Sequence, residues 1–99
     1  METKELSIVI VTFKSEAKIF NCLDSIQNNI EVIIIENSSN KNFKQAIEKN
    51  YTNVKCILTG KNIGYAAANN MGLKNVQTKY ALVLNPDTIL NKDAINNFL

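Results

Sequence analysis

A carboxylate follows directly on a short apolar run, in the segment Asn85-Pro86-Asp87. The preceding run, Tyr80–Leu84, is typical of a buried β-strand, and open α/β sheets bind ligands at the carboxyl ends of their strands. Pro86 fixes the backbone that leaves the strand and orients Asp87. One hard oxygen ligand at that edge suits Mg²⁺ or Mn²⁺ held jointly with a diphosphate. An Asx turn or a helix cap would use the same residue types.

Two further apolar runs end in polar residues, Thr12 and Glu36. Thr12 offers a hydroxyl to a base or a ribose, and Phe13 could lie against a flat ring. A carboxylate at the position of Glu36 can accept a hydrogen bond from an imide N–H or a ribose hydroxyl. The alternatives are an ordinary strand end with an anchoring aromatic ring, and a carboxylate attracted to the positive N-terminus of the next helix.

A glycine-bearing loop leads into a helix rich in small residues at 62–72. Gly64 permits a backbone shape or a close approach that other residues resist. Three alanines at 66–68 keep the first helical turn slim, so that a ligand or a neighbouring strand can come close. Asn69 and Asn70 place amides on that helix, although Asn is a poor helix former. The alternative is a tight turn followed by a packing face of small residues.

Alternating strands and helices position these residues. Apolar runs predict strands at 6–11, 32–35, 54–58 and 80–84. Helices are predicted from Glu16, capped by Ser15 and bearing the stripe Ile19, Leu23, Ile26 and Ile30, and at 41–50, 65–76 and 92–99. This order, with short links, predicts a Rossmann-like three-layer α/β/α fold around a mainly parallel sheet of about four strands.

Composition excludes several classes of function. The 99 residues suffice for one domain, and the formal net charge is only +2. The basic residues are all lysines, and there is no histidine, so neither a histidine base nor an arginine clamp on phosphate can lie in this chain. The lysines are scattered and form no basic stripe with aromatics between them, so no nucleic-acid partner is expected.

The cysteines and the apolar runs bear on the compartment. Cys22 and Cys56 lie far apart in apolar stretches and form no CxxC pattern, which predicts two buried free thiols and a reducing compartment. The first apolar run is too short for a signal peptide, and no run approaches a membrane span. A cytoplasmic protein without a transmembrane segment is therefore expected.

Four segments, taken in order, resemble a known family. They are IVIVTF at 8–13, IENSS at 35–39, NIGYAAANN at 62–70 and LVLNPD at 82–87. Together they resemble the N-terminal half of inverting family-2 glycosyltransferases of the GT-A fold, and most closely the rhamnosyltransferase-like branch that builds bacterial cell-surface polysaccharide. The resemblance covers nearly the whole chain. It implies one truncated nucleotide-sugar-binding domain over residues 1–99.

The resemblance also implies substrates and roles. The donor would be a dTDP- or UDP-sugar, and the acceptor a glycan or a lipid-linked glycan. The implied donor-binding positions are Thr12, Phe13, Glu36, Asn62, Gly64, Asn69, Asn85 and Asp87. Among these, Thr12 and Phe13 would touch the nucleotide, Glu36 would read the base, and Asp87 would hold Mg²⁺ or Mn²⁺. Gly64 and Asn69 would flank the nucleotide and its diphosphate.

Several residues depart from the family pattern. Glu36 is one methylene longer than the usual Asp, and Lys14 stands at a frequent Asn. Ala67 stands where many members carry a basic residue, so a phosphate contact is expected to be lost. Asn85 replaces the first Asp of the wider family, although the rhamnosyltransferase-like branch commonly has Asn-Pro-Asp.

The chain is shorter than the family members it resembles. Their acceptor site, and the Asp or Glu that deprotonates the acceptor, lie beyond this region. The chain is therefore expected to hold the donor, to contain no catalytic residue, and to be inactive alone. Two alternatives stay open: a freestanding nucleotide-binding module without chemistry, and a half-domain that self-associates or docks through its apolar C-terminal end.

Overall fold

The computed structural model describes residues 5–91 and 93. Seven elements alternate along the chain: β1 (Leu6–Thr12), α1 (Glu16–Asp24), β2 (Glu31–Glu36), α2 (Lys41–Asn50), β3 (Val54–Leu58), α3 (Tyr65–Lys74) and β4 (Tyr80–Leu84). The strands form one sheet in the order β3-β2-β1-β4, and every neighbouring pair is parallel. The predicted α/β fold and parallel sheet are confirmed. Apart from Asp93, the predicted last helix and its self-associating end lie outside the described residues.

Helices cover both faces of the two central strands. Side chains from α1 and α2, among them Ile19 and Phe43, pack with alternate residues of β1 and β2 on one face. The other alternate residues of these strands, such as Val11 and Ile35, pack with Ala68 of α3 on the opposite face. All seven residues of β1 are therefore buried, as its near-continuous apolar run predicts. The three-layer arrangement is confirmed.

The edge strand β4 is less buried than its apolar sequence predicts. Leu82 and Leu84 pack against the core beneath α1 and α2. Ala81 and Val83 point to the other face and are exposed, Val83 by 36%. Helix α3 packs over β1 and β2, so this face of β4 is left partly open. The prediction of a fully buried strand is wrong for that face, because its burial would require α3 to extend over β4, and α3 covers β1 and β2 instead.

Helix α1 is shorter than the predicted apolar stripe. It ends at Asp24, where the Ser25 hydroxyl donates a hydrogen bond to the Cys22 carbonyl at 2.6 Å. Ile26 and Ile30 lie in the turn that follows, and both are buried. The helical spacing of apolar residues therefore continues in the sequence beyond the last helical residue. The predicted cap is also wrong in part, because Ser15 occupies the N-cap position but makes no side-chain cap.

Both cysteines are free and buried, as predicted. Burial, reinforced by the Asp87 carboxylate, raises the pKa of Cys22 to about 11. Burial likewise raises the pKa of Cys56 to about 12. Both thiols are therefore protonated at neutral pH, and neither is available as a nucleophile.

Within the described part of the chain, every helix falls short of the length and apolar character that crossing a membrane requires.

Gly72 allows α3 to lie close against the sheet. A Cβ at this position would stand 2.5 Å from Cγ1 of Val9 and 3.2 Å from Cγ1 of Ile35. Both neighbours are buried, β-branched and confined to few rotamers. Helix α3 ends at Lys74, two residues before the predicted end at 76, and Gly72 still lies within it.

We expect Gly72→Ala to lower the free energy of unfolding by about 1–2 kcal/mol. Overpacking typically costs about 1–3 kcal/mol, and a contact of 2.5 Å places this site in the upper part of that range. A net loss therefore remains after the gain of about 1 kcal/mol from replacing Gly in a helix. Urea denaturation would measure the change. Asn70→Ala, at an exposed position of the same helix, is the control and should be neutral or slightly stabilising. A Gly72→Ala variant as stable as the parent would contradict the close contact.

Candidate functional site

The sheet order creates a crevice between the loops that follow β1 and β4. From β1 the chain adds β2 and β3 on one side, then returns to place β4 on the other side of β1. The strand order therefore reverses between β1 and β4, and open α/β sheets bind ligands at the carboxyl end of such a topological switch point. The loop residues 13–15 and 85–87 follow these two strands.

Two adjoining compartments occupy the crevice. One has a volume of about 310 Å³ and the other about 430 Å³. Both are lined by Phe13, Ser15, Asn85 and Pro86. The smaller, which we call the amide compartment, is completed by Val11, Asn37, Asn62 and Tyr65. The larger, which we call the charged compartment, is completed by Lys14, Ala17, Lys18 and Asp87.

The amide compartment carries no charged side chain among its lining residues. Two aromatic rings are available to a ligand, since Phe13 is 44% exposed and Tyr65 is 54% exposed. The Asn62 side chain adds an amide, which can both donate and accept hydrogen bonds. Such a lining suits a planar, neutral group with polar edges.

The charged compartment brings two cations and one carboxylate together. Lys14 has a φ of 55°, in the left-handed region that non-glycine residues rarely adopt. Its Nζ lies 5.3 Å from the centroid of the Phe13 ring, within cation–π range. Among the described residues, neither Lys14 nor Lys18 forms an ion pair with a carboxylate. Their charges are therefore available to an anionic ligand.

Asp87 is exposed and is the one carboxylate among the residues lining the two compartments. In the part of the chain that the structure describes, no three His, Cys, Asp or Glu residues gather into a metal-binding group. A cation at Asp87 would need phosphate and water oxygens for its other positions, which is how Mg²⁺ is commonly bound. The residues thus fit a cation that arrives with a diphosphate, and they form no prebuilt metal centre.

Thr12 and Glu36 end the neighbouring strands β1 and β2, as predicted, and the register of these strands places them side by side. Both are buried, with exposures of 0% and 2%. The Thr12 hydroxyl donates a hydrogen bond to Oε1 of Glu36 at 2.7 Å, and the Ser38 hydroxyl donates one to Oε2. Each carboxylate oxygen thus has one of these donors and keeps a second lone pair. Neither Thr12 nor Glu36 lines the two compartments, and contact of either residue with a base stays a prediction.

Asn62 and Gly64 lie in a tight turn just before α3. The Asn62 side chain accepts a hydrogen bond from the Gly64 N–H at 2.9 Å. Gly64 is the N-cap of α3, with φ 86° and ψ 161°. This is backbone that only glycine adopts readily, which confirms the predicted need for glycine.

Asn37 contacts this turn and was not among the predicted site residues. Its side chain hydrogen-bonds to the backbone of Ile63 and Gly64. Its place directly after the second apolar run is the same signal that identified Glu36. Asn69, which was predicted to lie beside the nucleotide, lines neither compartment. Its Oδ1 is buried on α3 without a hydrogen-bond partner among the described residues.

Comparison with known proteins identifies one family and several relatives. The family described as glycosyl transferase family 2 matches residues 7–99. A low-salt glycan biosynthesis hexosyltransferase, Agl10, of Haloferax volcanii is 36% identical over 95 residues, which cover 92% of this chain. A teichoic acid poly(glycerol phosphate) polymerase of Staphylococcus epidermidis is 30% identical over 103 residues, covering 96% of this chain.

Solved structures share the fold. TarS of S. aureus, as residues 1–349, superposes with a TM-score of 0.80 at 24% identity, covering 94% of this chain. The same TarS fragment has been crystallised in complex with UDP. This chain spans only 30% of the Haloferax hexosyltransferase, 14% of the polymerase and 30% of that TarS fragment.

Proposed function

Because the chain belongs to glycosyl transferase family 2, we propose that its crevice binds the nucleoside diphosphate of a sugar donor. One observation carries the proposal. A neutral compartment with two exposed aromatic rings adjoins a compartment with two lysines and a carboxylate, at the switch point of a parallel sheet. A nucleoside diphosphate has the same division, with a planar base at one end and a charged diphosphate at the other.

The base and ribose would occupy the amide compartment. Phe13 and Tyr65 offer ring faces against which a pyrimidine can stack. Asn62 offers an amide that can pair with the polar edge of the base. The donor would be a UDP- or dTDP-sugar: the TarS complex with UDP supports the first, and the resemblance to the rhamnosyltransferase-like branch supports the second.

The diphosphate would occupy the charged compartment. Lys14 and Lys18 would attract its oxygens, and they would take the place of an arginine clamp that this chain lacks. Asp87, with its exposed carboxylate, would hold Mg²⁺ or Mn²⁺ against the diphosphate. When bound, the metal would supply neutralisation of the charge that develops on the departing diphosphate.

Activation of the acceptor is assigned to residues outside this crevice. Inverting transfer needs a carboxylate base within hydrogen-bond reach of the attacking hydroxyl. Asp87, the one carboxylate lining the two compartments in the described part of the chain, is already assigned to the metal. We therefore infer that these residues hold the donor, that a glycan or lipid-linked acceptor is bound elsewhere in the full-length enzyme, and that this chain alone transfers no sugar.

A thermal-shift panel of UDP, dTDP, GDP and ADP, each with and without Mn²⁺, tests the proposal. A ligand at 100 times its Kd adds about 2.7 kcal/mol of stability, which for a domain of this size raises Tm by on the order of 10 °C. We expect a Mn²⁺-dependent shift with UDP or dTDP. A folded sample that no nucleotide stabilises would contradict donor binding and would favour a docking half-domain, which should then self-associate.

A further inference from the structure

Asn37 connects three loops at the carboxyl end of the sheet. We propose that it is a positioning residue, which fixes the wall of the amide compartment in the shape that receives the base. This inference rests on the proposed function, because it assigns a task within the same site. Asn37 directly follows β2 and is only 3% exposed.

The Asn37 side chain forms hydrogen bonds to the neighbouring loops through both its oxygen and its nitrogen. Its Oδ1 accepts hydrogen bonds from the Ile63 N–H at 2.9 Å and from the Thr59 hydroxyl at 3.2 Å. Its Nδ2 donates to the Gly64 carbonyl at 3.1 Å. Its backbone N–H donates to the Thr12 carbonyl at 2.8 Å. One residue thereby joins the ends of β1, β2 and β3 to the turn before α3.

Two of these bonds hold the turn that precedes α3. The Asn37 amide accepts a hydrogen bond from the Ile63 N–H and donates one to the Gly64 carbonyl, so it fixes the backbone of two successive residues. Glycine adopts the φ of 86° and ψ of 161° seen at Gly64 readily, but it has more alternative backbone conformations than any other residue. Contacts from outside the turn, such as those of the Asn37 amide, therefore select this one conformation.

The same two hydrogen bonds fix the start of α3 and thereby its direction. The Gly64 carbonyl also accepts the first hydrogen bond of the helix, from the Ala68 N–H at 3.2 Å. The residues on either side of this turn, Asn62 and Tyr65, line the amide compartment. Loss of the Asn37 amide would therefore move both groups that face the ligand, although Asn37 itself need not touch the base.

Asn53 provides a matched control at the opposite end of the sheet. Its Nδ2 donates to the Ile30 carbonyl at 2.8 Å, just before β2 and β3 begin. An Asn→Asp change at either residue removes one side-chain donor to a backbone carbonyl and adds one negative charge. A purely structural role predicts a loss of stability at both positions, larger at the more buried Asn37, with ligand affinity kept in both folded variants, whereas the positioning role predicts a loss of ligand affinity only at Asn37.

The experiment compares Asn37→Asp, Asn37→Ser and Asn53→Asp with the parent chain, by calorimetric titration of UDP in the presence of Mg²⁺. Asn37→Ser introduces no charge, so it separates the loss of the amide's hydrogen bonds from the effect of an added negative charge. We expect Kd to rise about tenfold or more in both Asn37 variants, because each loses the donor that holds the Gly64 carbonyl, and to change less than about twofold in Asn53→Asp.

Amide hydrogen exchange, followed by NMR, supplies a readout that needs no ligand. Exchange at Ile63 should accelerate at least about tenfold in Asn37→Ser and stay unchanged in Asn53→Asp. Unchanged UDP affinity in both Asn37 variants, with folding verified by their spectra, would overturn the positioning role alone. A parent chain that binds no UDP would instead overturn the proposed function together with the task assigned to Asn37.

Discussion

Asp87→Asn should remove the Mn²⁺-dependent part of UDP binding while leaving the fold intact. The carboxylate is exposed and lines the charged compartment, so its replacement disturbs no core packing. A neutral amide is a far weaker ligand for a hard cation than a carboxylate. Changes in the outer shell of a metal site already cost about 10–100-fold in affinity, so loss of the protein's own ligand should cost at least as much.

Calorimetric titration of UDP with and without Mn²⁺ would measure this effect. In the variant, Kd with Mn²⁺ should approach the value found without the metal. Asp93→Asn removes the same charge from another exposed position a few residues away and serves as the control. If Asp87→Asn retained the full enhancement by Mn²⁺, Asp87 would not be the metal ligand.

Gly64→Ala should weaken UDP binding by on the order of tenfold and lower the free energy of unfolding by about 1–3 kcal/mol. An added Cβ would meet no atom within 4 Å, so the cost is one of backbone conformation and not of steric crowding. The turn can relieve that strain only by moving Gly64 away from the Asn37 amide, which would displace the amide compartment's wall.

Gly60→Ala is the matched control for this effect. Gly60 also has a positive φ, 87°, and a Cβ added there would likewise meet no atom within 4 Å, but Gly60 lines neither compartment. Chemical denaturation and UDP titration of both variants would separate stability from binding. We expect both to lose stability and only Gly64→Ala to lose affinity. Equal UDP affinity in the two variants would contradict a role for the Gly64 turn in the site.

Much of the fold could be predicted because its signals are local. The apolar runs in β1 and β2 are nearly continuous, as is typical of strands that are covered on both faces. The end of α1 could not be predicted in this way, because Ile26 and Ile30 are buried from a turn and continue the helical spacing by coincidence. The exposure of Val83 depends on which strands α3 covers, and that is a property of the assembled layers.

The site was predictable in part for the same reason. Phe13, Asn85 and Asp87 follow apolar runs directly, so their place at the crevice could be derived from the sequence. The burial of Glu36 could not, because its partner Thr12 is brought to it by strand pairing and lies 24 residues away in the chain. The task of Asn37 was missed because its partners lie in a loop 26 and 27 residues further on.

The most direct test of donor binding is an NMR titration of the ¹⁵N-labelled chain with UDP and Mg²⁺. Amide shifts should be concentrated in residues 13–15, 62–65, 85 and 87, where the loops after β1 and β4 and the turn before α3 enclose the crevice. Amides at the opposite end of the sheet, such as those of Ile30 and Asn53, should stay unchanged. Saturable shifts at the crevice would establish the nucleotide site, and their absence, or shifts confined to the opposite end, would contradict it.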